Sequence, residues 1–86
     1  MHEEIRSYLV ELVGTVLGIA AGTVSVGHEI EADGRHTFSI GVPAEVRGLL
    51  LGPEGKHARA LETLAVMRAL RLDWRGRINV RVRKNG

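Results

Sequence analysis

The 86-residue chain contains no cysteine, which excludes a disulfide framework and a thiolate metal site. Long apolar segments are also missing. The longest uncharged run, residues 12–28, carries four glycines and is shorter than the ~20 residues that a membrane-spanning helix needs. The chain opens with His2-Glu3-Glu4, which is acidic where a signal peptide would be basic. We therefore expect one small, soluble, cytoplasmic domain over residues 1–86 that has no contact with a membrane.

Motifs of the common enzyme classes are missing as well. A Walker A motif with Lys56 as its lysine would need a glycine in place of Leu50 and a Ser or Thr in place of His57. The four histidines include no pair at the i, i+4 spacing that presents two metal ligands on one helix face. No Ser-His-Asp arrangement or buried carboxylate pair can be nominated. We expect a protein that is not an enzyme, without catalytic residues, metal ligands, cofactors or a small-molecule substrate.

Charge is distributed unevenly along the chain. Residues 1–46 carry two arginines against seven carboxylates, a net charge of −5, and residues 47–86 carry ten Lys and Arg against three carboxylates, a net charge of +7. A basic half is what a polyanion-binding site requires. The alternative is that charges segregate by chance and the two halves neutralise each other in the fold. We favour the polyanion interpretation.

Apolar residues recur at helical spacing from Glu3 to about Ala21 and predict a first helix that stops at Gly22. Gly14 and Gly18 lie within this helix, four residues apart and therefore on one face. Each destabilises the helix by roughly 1 kcal/mol, which indicates that a neighbouring element approaches the helix closely at these positions. We expect close packing on the protein's own sheet, with a partner helix as the alternative.

Apolar and polar residues alternate over residues 24–30 and 35–42 and predict two antiparallel strands. A three-residue loop, residues 32–34 with Gly34 left-handed, places position 26 opposite 40, 28 opposite 38 and 30 opposite 36. Both apolar sets then share one face of the sheet. A two-residue Asp-Gly turn would put them on opposite faces, so we predict the three-residue loop.

This hairpin brings further residues together. The three-residue loop sets Glu31 opposite Arg35, an attractive cross-strand pair. A bulge at Gly27 is an alternative that would shift the register. His28 and His36 can approach each other diagonally across the two strands, and we interpret both as structural.

Two more helices are predicted on either side of a Gly-x-x-Gly turn. They cover residues 43–51 and 56–72, and residues 52–55, which we call the clamp, join them. Because Gly52 and Gly55 carry no Cβ, the backbone can turn sharply there and lie close to a ligand. The N–H groups that open the second helix are unpaired and carry partial positive charge, so they favour a phosphate.

The remaining apolar positions complete the predicted core. The helix residues expected to face inward are Val46, Leu49, Leu50, Ala58, Leu61, Leu64, Ala65 and Leu72. Arg68 falls in the same stripe, and we expect a snorkelling side chain there. Trp74 is interpreted as a cap over the core edge and not as a platform for stacked bases. The last strand alternates apolar residues with Arg77, Arg81 and Arg83. We favour a solvated face for these arginines, with a contact to nucleic-acid backbone as the alternative.

The predicted element order is α-β-β-α-α-β. The first two strands pair antiparallel, and a helical crossover makes the second and third parallel. The result is an α+β domain with a three-stranded mixed sheet and helices packed on one face. This order, with VPAEVRGLLLGPEGK at residues 42–56 and ARAL at residues 58–61, resembles a type II KH domain. Over nearly the whole chain it resembles the small stand-alone bacterial KH proteins of the KhpA type.

The resemblance implies a non-catalytic protein that binds about four nucleotides of single-stranded RNA beside the clamp. Such proteins act as RNA chaperones or post-transcriptional regulators, and associate as homodimers or with a second, larger KH-domain protein. Carried over by position, the RNA-binding residues are Arg47, Leu51, Gly52, Pro53, Glu54, Gly55, Lys56, Arg59 and Ile40, with Leu50 beside them. The glycines would approach the phosphates, the basic residues would supply charge, and the apolar residues would line the side on which bases rest.

Pro53 and Glu54 depart from the family pattern, in which one of these two positions is usually basic. Proline removes one N–H from the clamp. A carboxylate about 5–6 Å from a phosphate repels it by about 1 kcal/mol, and by less in salt. We therefore expect weak RNA affinity. The alternative function is a protein-interaction or ribosome-assembly module with negligible affinity for free RNA, which the same two residues and the Gly14 and Gly18 face would suit.

Overall fold

The computed structural model describes residues 1–84, which form three helices and three strands. The elements are α1 (His2–Leu17), β1 (Ser25–Ile30), β2 (His36–Gly41), α2 (Ala44–Leu51), α3 (Lys56–Arg71) and β3 (Ile78–Val82). Short 3₁₀ turns at Ala21–Thr23 and Pro53–Gly55 connect them. The α+β class and the order of elements agree with the prediction.

The sheet has the strand order β1-β2-β3, with β1 antiparallel and β3 parallel to the central strand. Val26 lies opposite Ile40, and the register continues without a bulge to Ile30 opposite His36. This is the register predicted for the three-residue loop, and Gly34 is left-handed with φ 88°. The mixed three-stranded sheet is therefore confirmed.

The charge pair at the hairpin differs from the prediction. The backbone N–H of Glu31 donates to the carbonyl of Arg35 over 2.8 Å. Within residues 1–84, however, no ion pair joins these two side chains. Arg77 pairs with Asp33 instead, at 3.5 Å from its carboxylate and 2.9 Å from its carbonyl oxygen. The hairpin tip is thus fastened to the start of β3.

The core lies between the sheet and the helices. Even-numbered strand residues face the helices, and the largest fully buried side chains are Phe38, Ile5, Leu9, Ile40 and Val13. On α3 the buried residues are Ala58, Leu61, Ala65 and Ala69. Small alanines on that helix let its axis approach the sheet closely, while the larger side chains of α1 and β2 fill the volume.

The first helix ends earlier than predicted. Gly18, with φ 68°, closes α1 in the left-handed conformation, and the predicted stop at Gly22 is wrong. The chain then folds back, with the Ile19 N–H donating to the Gly14 carbonyl over 3.0 Å. A Cβ on Gly14 would lie 3.2 Å from the Ile19 carbonyl oxygen. The two glycines therefore form the helix end, and the expected packing against the sheet or a partner is not what requires them.

Several apolar residues expected in the core lie at the surface. Leu49 is 63% exposed, Leu64 37% and Leu72 41%, while Leu50 is buried as predicted. Arg68 lies over the ring of Tyr8, with 5.4 Å between its guanidinium carbon and the ring centroid. This cation–π contact explains a basic residue within the apolar stripe.

A row of aromatic rings joins α1 to the hairpin. The rings of His2 and His28 stack with centroids 4.4 Å apart, and His28 Nε2 lies 2.8 Å from His36 Nδ1. Trp74 meets His36 edge-on at 4.8 Å and packs partly buried against the core, as predicted. Burial lowers the pKa of both His28 and His36, and the neighbouring His2 lowers it further. The hydrogen bond between the two rings requires one of them to accept, so it favours the neutral state.

We predict that stability falls on acidification within the range where histidine titrates. The folded pKa values of His28 and His36 lie below the unfolded value of 6.5, so the unfolded chain binds more protons in this window. Stability is therefore complete above about pH 6.5 and decreases as the pH falls through the folded values. Urea denaturation between about pH 8 and about pH 5 measures this.

His28→Phe tests the origin of this pH dependence, because it keeps a stacking ring and removes one of the two titrating groups. Its free energy of unfolding should vary less over the same range. The lowered pKa values of Glu3, Glu4 and Asp33 affect stability only below their usual values of 4.5, 4.5 and 3.8. Equal pH dependence of parent and variant would contradict this role of the histidine pair.

Candidate nucleic-acid interface

The clamp has an unusual backbone. Three of its four residues have positive φ: Gly52 at 72°, Glu54 at 55° and Gly55 at 72°. The N–H of Gly55 donates to the carbonyl of Gly52 over 3.1 Å and closes the turn. The prediction that both glycines are needed for a sharp turn agrees with these angles. Glu54 adopts the left-handed conformation at a cost, since it carries a Cβ.

The first turn of α3 lacks a side-chain cap. Gly55 is the N-cap and makes no side-chain hydrogen bond, and no acidic residue lies in the first turn. Lys56, the first helical residue, is exposed. The backbone N–H of Lys56 already donates to the Pro53 carbonyl, so the expectation that every opening N–H group is unpaired is wrong for this residue. The N–H groups that follow it, the helix dipole and the ammonium group act together at the end of a 16-residue helix. This is a favourable place for an anion.

His57 fastens the clamp to the preceding helix. Its Nδ1 lies 2.8 Å from the carbonyl oxygen of Leu49, where the ring can donate to an unpaired carbonyl in the last turn of α2. A Cβ on Gly52 would lie 2.5 Å from Cγ of His57. Gly52 is therefore required twice, by its positive φ and by the imidazole packed against it. This role of His57 is absent from the sequence prediction.

Arg59 holds the other end of the clamp. Its Nη1 donates to the carbonyl oxygen of Glu54 over 2.7 Å. A guanidinium has five N–H donors, so an exposed Arg59 retains donors for a second acceptor. Since Arg59 lies one turn into α3, it links the strained residue to the rigid helix. Its predicted contribution of positive charge at the clamp is compatible with this position.

The remaining predicted site residues divide into exposed residues and one half-buried arginine. Leu51 is 43% exposed, and Pro53 and Glu54 are exposed beside it. Arg47 is half-buried on α2, and its Nε is buried without a hydrogen-bond partner. Arg47, Lys56 and Arg59 take part in none of the ion pairs of residues 1–84. No carboxylate of the described residues therefore neutralises the charge of these three side chains.

Ile40 was predicted to line the apolar side of the site, and the structure corrects this. It is 0% exposed, in the centre of the core, and Leu50 beside the clamp is 4% exposed. Neither side chain can touch a base in this structure. Ile40 belongs to the helix-facing set of the central strand, where alternation with period two buries it in the core. Leu51 is the apolar side chain that remains available.

No protein-family model matches this chain, and no curated protein and no solved structure matches it either. Within the part of the chain that the structure describes, no three His, Cys, Asp or Glu side chains are grouped so as to hold a metal ion. Over the same residues no helix is long and apolar enough to cross a membrane.

The geometry of the clamp predicts opposite effects of alanine at two glycines. Gly52→Ala introduces a Cβ at φ 72° and against His57, and should cost about 1–2 kcal/mol of unfolding free energy or more. Gly48→Ala lies four residues earlier in α2, where a Cβ meets nothing within 4 Å. It should stabilise by up to about 1 kcal/mol. Chemical denaturation of both variants measures the difference, and equal stabilities would contradict the described packing of His57.

Proposed function

We propose that this protein is a type II KH-like module that binds single-stranded RNA at the clamp, without catalysis. The observation that carries the proposal is the uncapped start of α3 directly after a left-handed Gly-x-x-Gly turn, with exposed Lys56 at that point. The order α-β-β-α-α-β around it supports the same family. Two bonds, from His57 and from Arg59, hold the turn in place before any ligand arrives. A preorganised turn loses less conformational entropy on binding.

In this proposal the phosphates lie against the glycine backbone and the N–H groups that follow Lys56 in the first turn of α3. Lys56 supplies a full positive charge, and Arg59 offers donors that its bond to Glu54 leaves unused. Bases turn toward Leu51, the exposed apolar residue at the end of α2. The expected length is about four nucleotides. The proposed cellular role is that of an RNA chaperone or post-transcriptional regulator.

Gly55→Asp should abolish RNA binding while the fold survives. It places a side chain and a negative charge where a phosphate would lie. Gly34→Asp is the matched control, because Gly34 also has positive φ, has open space around its Cα and lies at the hairpin, away from the clamp. Fluorescence anisotropy with a short single-stranded RNA at about 100 mM salt measures both. RNA binding by Gly55→Asp at the strength of Gly34→Asp would show that the clamp is not the site.

Glu54→Lys tests the same site with the opposite charge change. It removes a repulsive carboxylate and adds a cation, so affinity should rise roughly tenfold and the salt dependence should steepen by about 0.7 in log–log slope. A variant that binds no tighter than the parent at low salt would mean that position 54 does not face the RNA backbone.

A second candidate function is a protein-interaction module, favoured by an apolar groove. The groove lies between α1, α2 and α3 and has a volume of about 380 Å³. Its lining residues are Leu12, Val16, Leu17, Leu49, Leu50, His57, Ala60, Leu61 and Leu64. Val16 is 68% exposed and Leu49 63%, and exposed apolar clusters of this kind mark interaction sites. The proposed occupant is a second copy of this chain or another KH-domain protein.

Leu64→Glu tests this candidate. Val66→Glu is its matched control, since Val66 lies on the same helix with 36% exposure against 37% for Leu64 and does not line the groove. Size-exclusion chromatography with light scattering should give the parent and Val66→Glu about twice the 9.4 kDa monomer mass, and Leu64→Glu the monomer mass. A monomer mass for the parent protein at high concentration would contradict the proposed homodimer.

A further inference from the structure

The helix-free face of the sheet, which we call the open face, carries the odd-numbered strand residues. The pairing sets Arg81 beside Ser39, and Ser39 opposite Gly27. Beyond the last pair, the N–H of Arg83 donates to the carbonyl of Ile40 over 2.8 Å, which continues the ladder. Small residues thus form the floor over β1 and β2, and arginines line the β3 side.

Arg83 lies flat across this floor. Its Nη2 donates to the Ser25 hydroxyl over 2.6 Å, so the side chain crosses the central strand to reach β1. Gly41 lies beneath it. A Cβ there would be 3.0 Å from Nη2 of Arg83 and 2.7 Å from Oγ of Ser25. Glycine at position 41 therefore leaves room for the guanidinium of Arg83 against the sheet.

Three polar groups of the open face are buried without a hydrogen-bond partner in the protein. They are Nε of Arg83, Nε of Arg35 and Oγ1 of Thr37, whose residue is 3% exposed. All three can donate a hydrogen bond. Atoms buried this deeply are out of reach of a ligand on the face, and those of Arg35 and Thr37 lie at the hairpin end. The binding capacity of the face lies in the guanidinium groups of Arg81 and Arg83, because a guanidinium has five donors and Arg83 uses one of them on Ser25. Guanidinium groups in particular match the oxygens of a phosphate.

Charge points to the same class of ligand. The acidic residues of the open face, Glu29 and Glu31, belong to the hairpin end, where Asp33 already pairs with Arg77. The opposite end carries Arg81 and Arg83, followed by exposed Lys84, with serines and glycines beside them. Charge complementarity therefore favours a polyanion on this half of the open face.

The clamp lies at this same end of the molecule. The two parallel strands β2 and β3 finish together, and α3 runs back antiparallel to β3, with Glu62 accepting from the N–H of Val80 over 3.0 Å. The start of α3 at Lys56 therefore lies toward the end of β3 at Arg83. An RNA strand that leaves the clamp can continue around this end onto the open face.

We propose that the open face is a second RNA-contact surface, where Arg81 and Arg83 bind the phosphate backbone of the nucleotides that follow the clamped ones. The inference rests on the proposed function, and extends the contact beyond the nucleotides at the clamp. Phosphate contacts do not read bases, so this surface adds affinity for longer strands without adding sequence preference.

The test is anisotropy with single-stranded RNAs of about 4 and about 12 nucleotides, on the parent and on Arg81→Glu. The side chain of Arg81 is exposed and makes no hydrogen bond or ion pair within residues 1–84, so its substitution spares the fold, which a thermal melt verifies. The variant should bind the longer RNA roughly fivefold more weakly and with a lower salt slope, and the shorter RNA as well as the parent does. Arg75→Glu, an exposed arginine in the turn before β3, makes the same charge change and should leave both affinities unchanged.

The remaining outcomes separate this surface from the clamp. Equal weakening of both RNAs by Arg81→Glu, or no weakening of either, would overturn the second surface, and so would tighter binding of an acidic polypeptide than of RNA. If Gly55→Asp still binds the longer RNA and Arg81→Glu does not, the clamp assignment fails while the open face stands. If Gly55→Asp loses both RNAs and Arg81→Glu loses neither, the clamp stands and the open face is overturned.

Discussion

The left-handed backbone between α2 and α3 is the constraint on which the proposed site depends. Residues with a Cβ avoid such angles, yet Glu54 adopts one. The surrounding contacts stabilise it, because His57 bonds back to the end of α2 and Arg59 bonds the Glu54 carbonyl from within α3. The turn is therefore set by two side chains of the helix that follows it. The first turn of that helix, which has no side-chain cap, follows directly after the glycine backbone. An anion bound there would meet the N–H groups after Lys56, which the helix already orients.

The sequence predicts the sheet better than the helix surfaces, for a physical reason. Strand side chains alternate with period two, so one register of the hairpin buries both apolar sets, and Val26 does lie opposite Ile40. The end of α1 is harder to predict, since Gly18 and Gly22 can each terminate a helix and only the contact between Ile19 and Gly14 decides between them. Leu49 was expected in the core and is exposed. It lines the open groove between the helices, where no other element covers it.

The candidate site shows the same division. Local backbone chemistry makes Gly52, Gly55 and Lys56 predictable, since a turn with positive φ followed by a helix start needs only neighbouring residues. The roles of His57 and Arg59 depend on side chains reaching across the turn, and that of Arg83 depends on strand register. Such contacts join residues of different elements, which the local sequence pattern does not place beside each other. Basic residues lie around the clamp and at the end of β3, and the apolar groove between the helices reaches His57 beside the clamp. The two proposed sites therefore adjoin at His57.

The most direct test of the account is an NMR titration of the isotope-labelled protein with a short single-stranded RNA. We predict that the amide signals of Gly52 and of residues 54–58 shift first and most, because a phosphate bound at the clamp changes their surroundings and would pair with the N–H groups that follow Lys56. Smaller shifts should follow at residues 81–84 when the RNA is longer, while the signals of the groove residues Val16 on α1 and Leu64 on α3 stay in place. Shifts centred on Val16, Leu49 and Leu64, or no shifts with RNA at all, would contradict the central claim that the turn between α2 and α3 binds RNA.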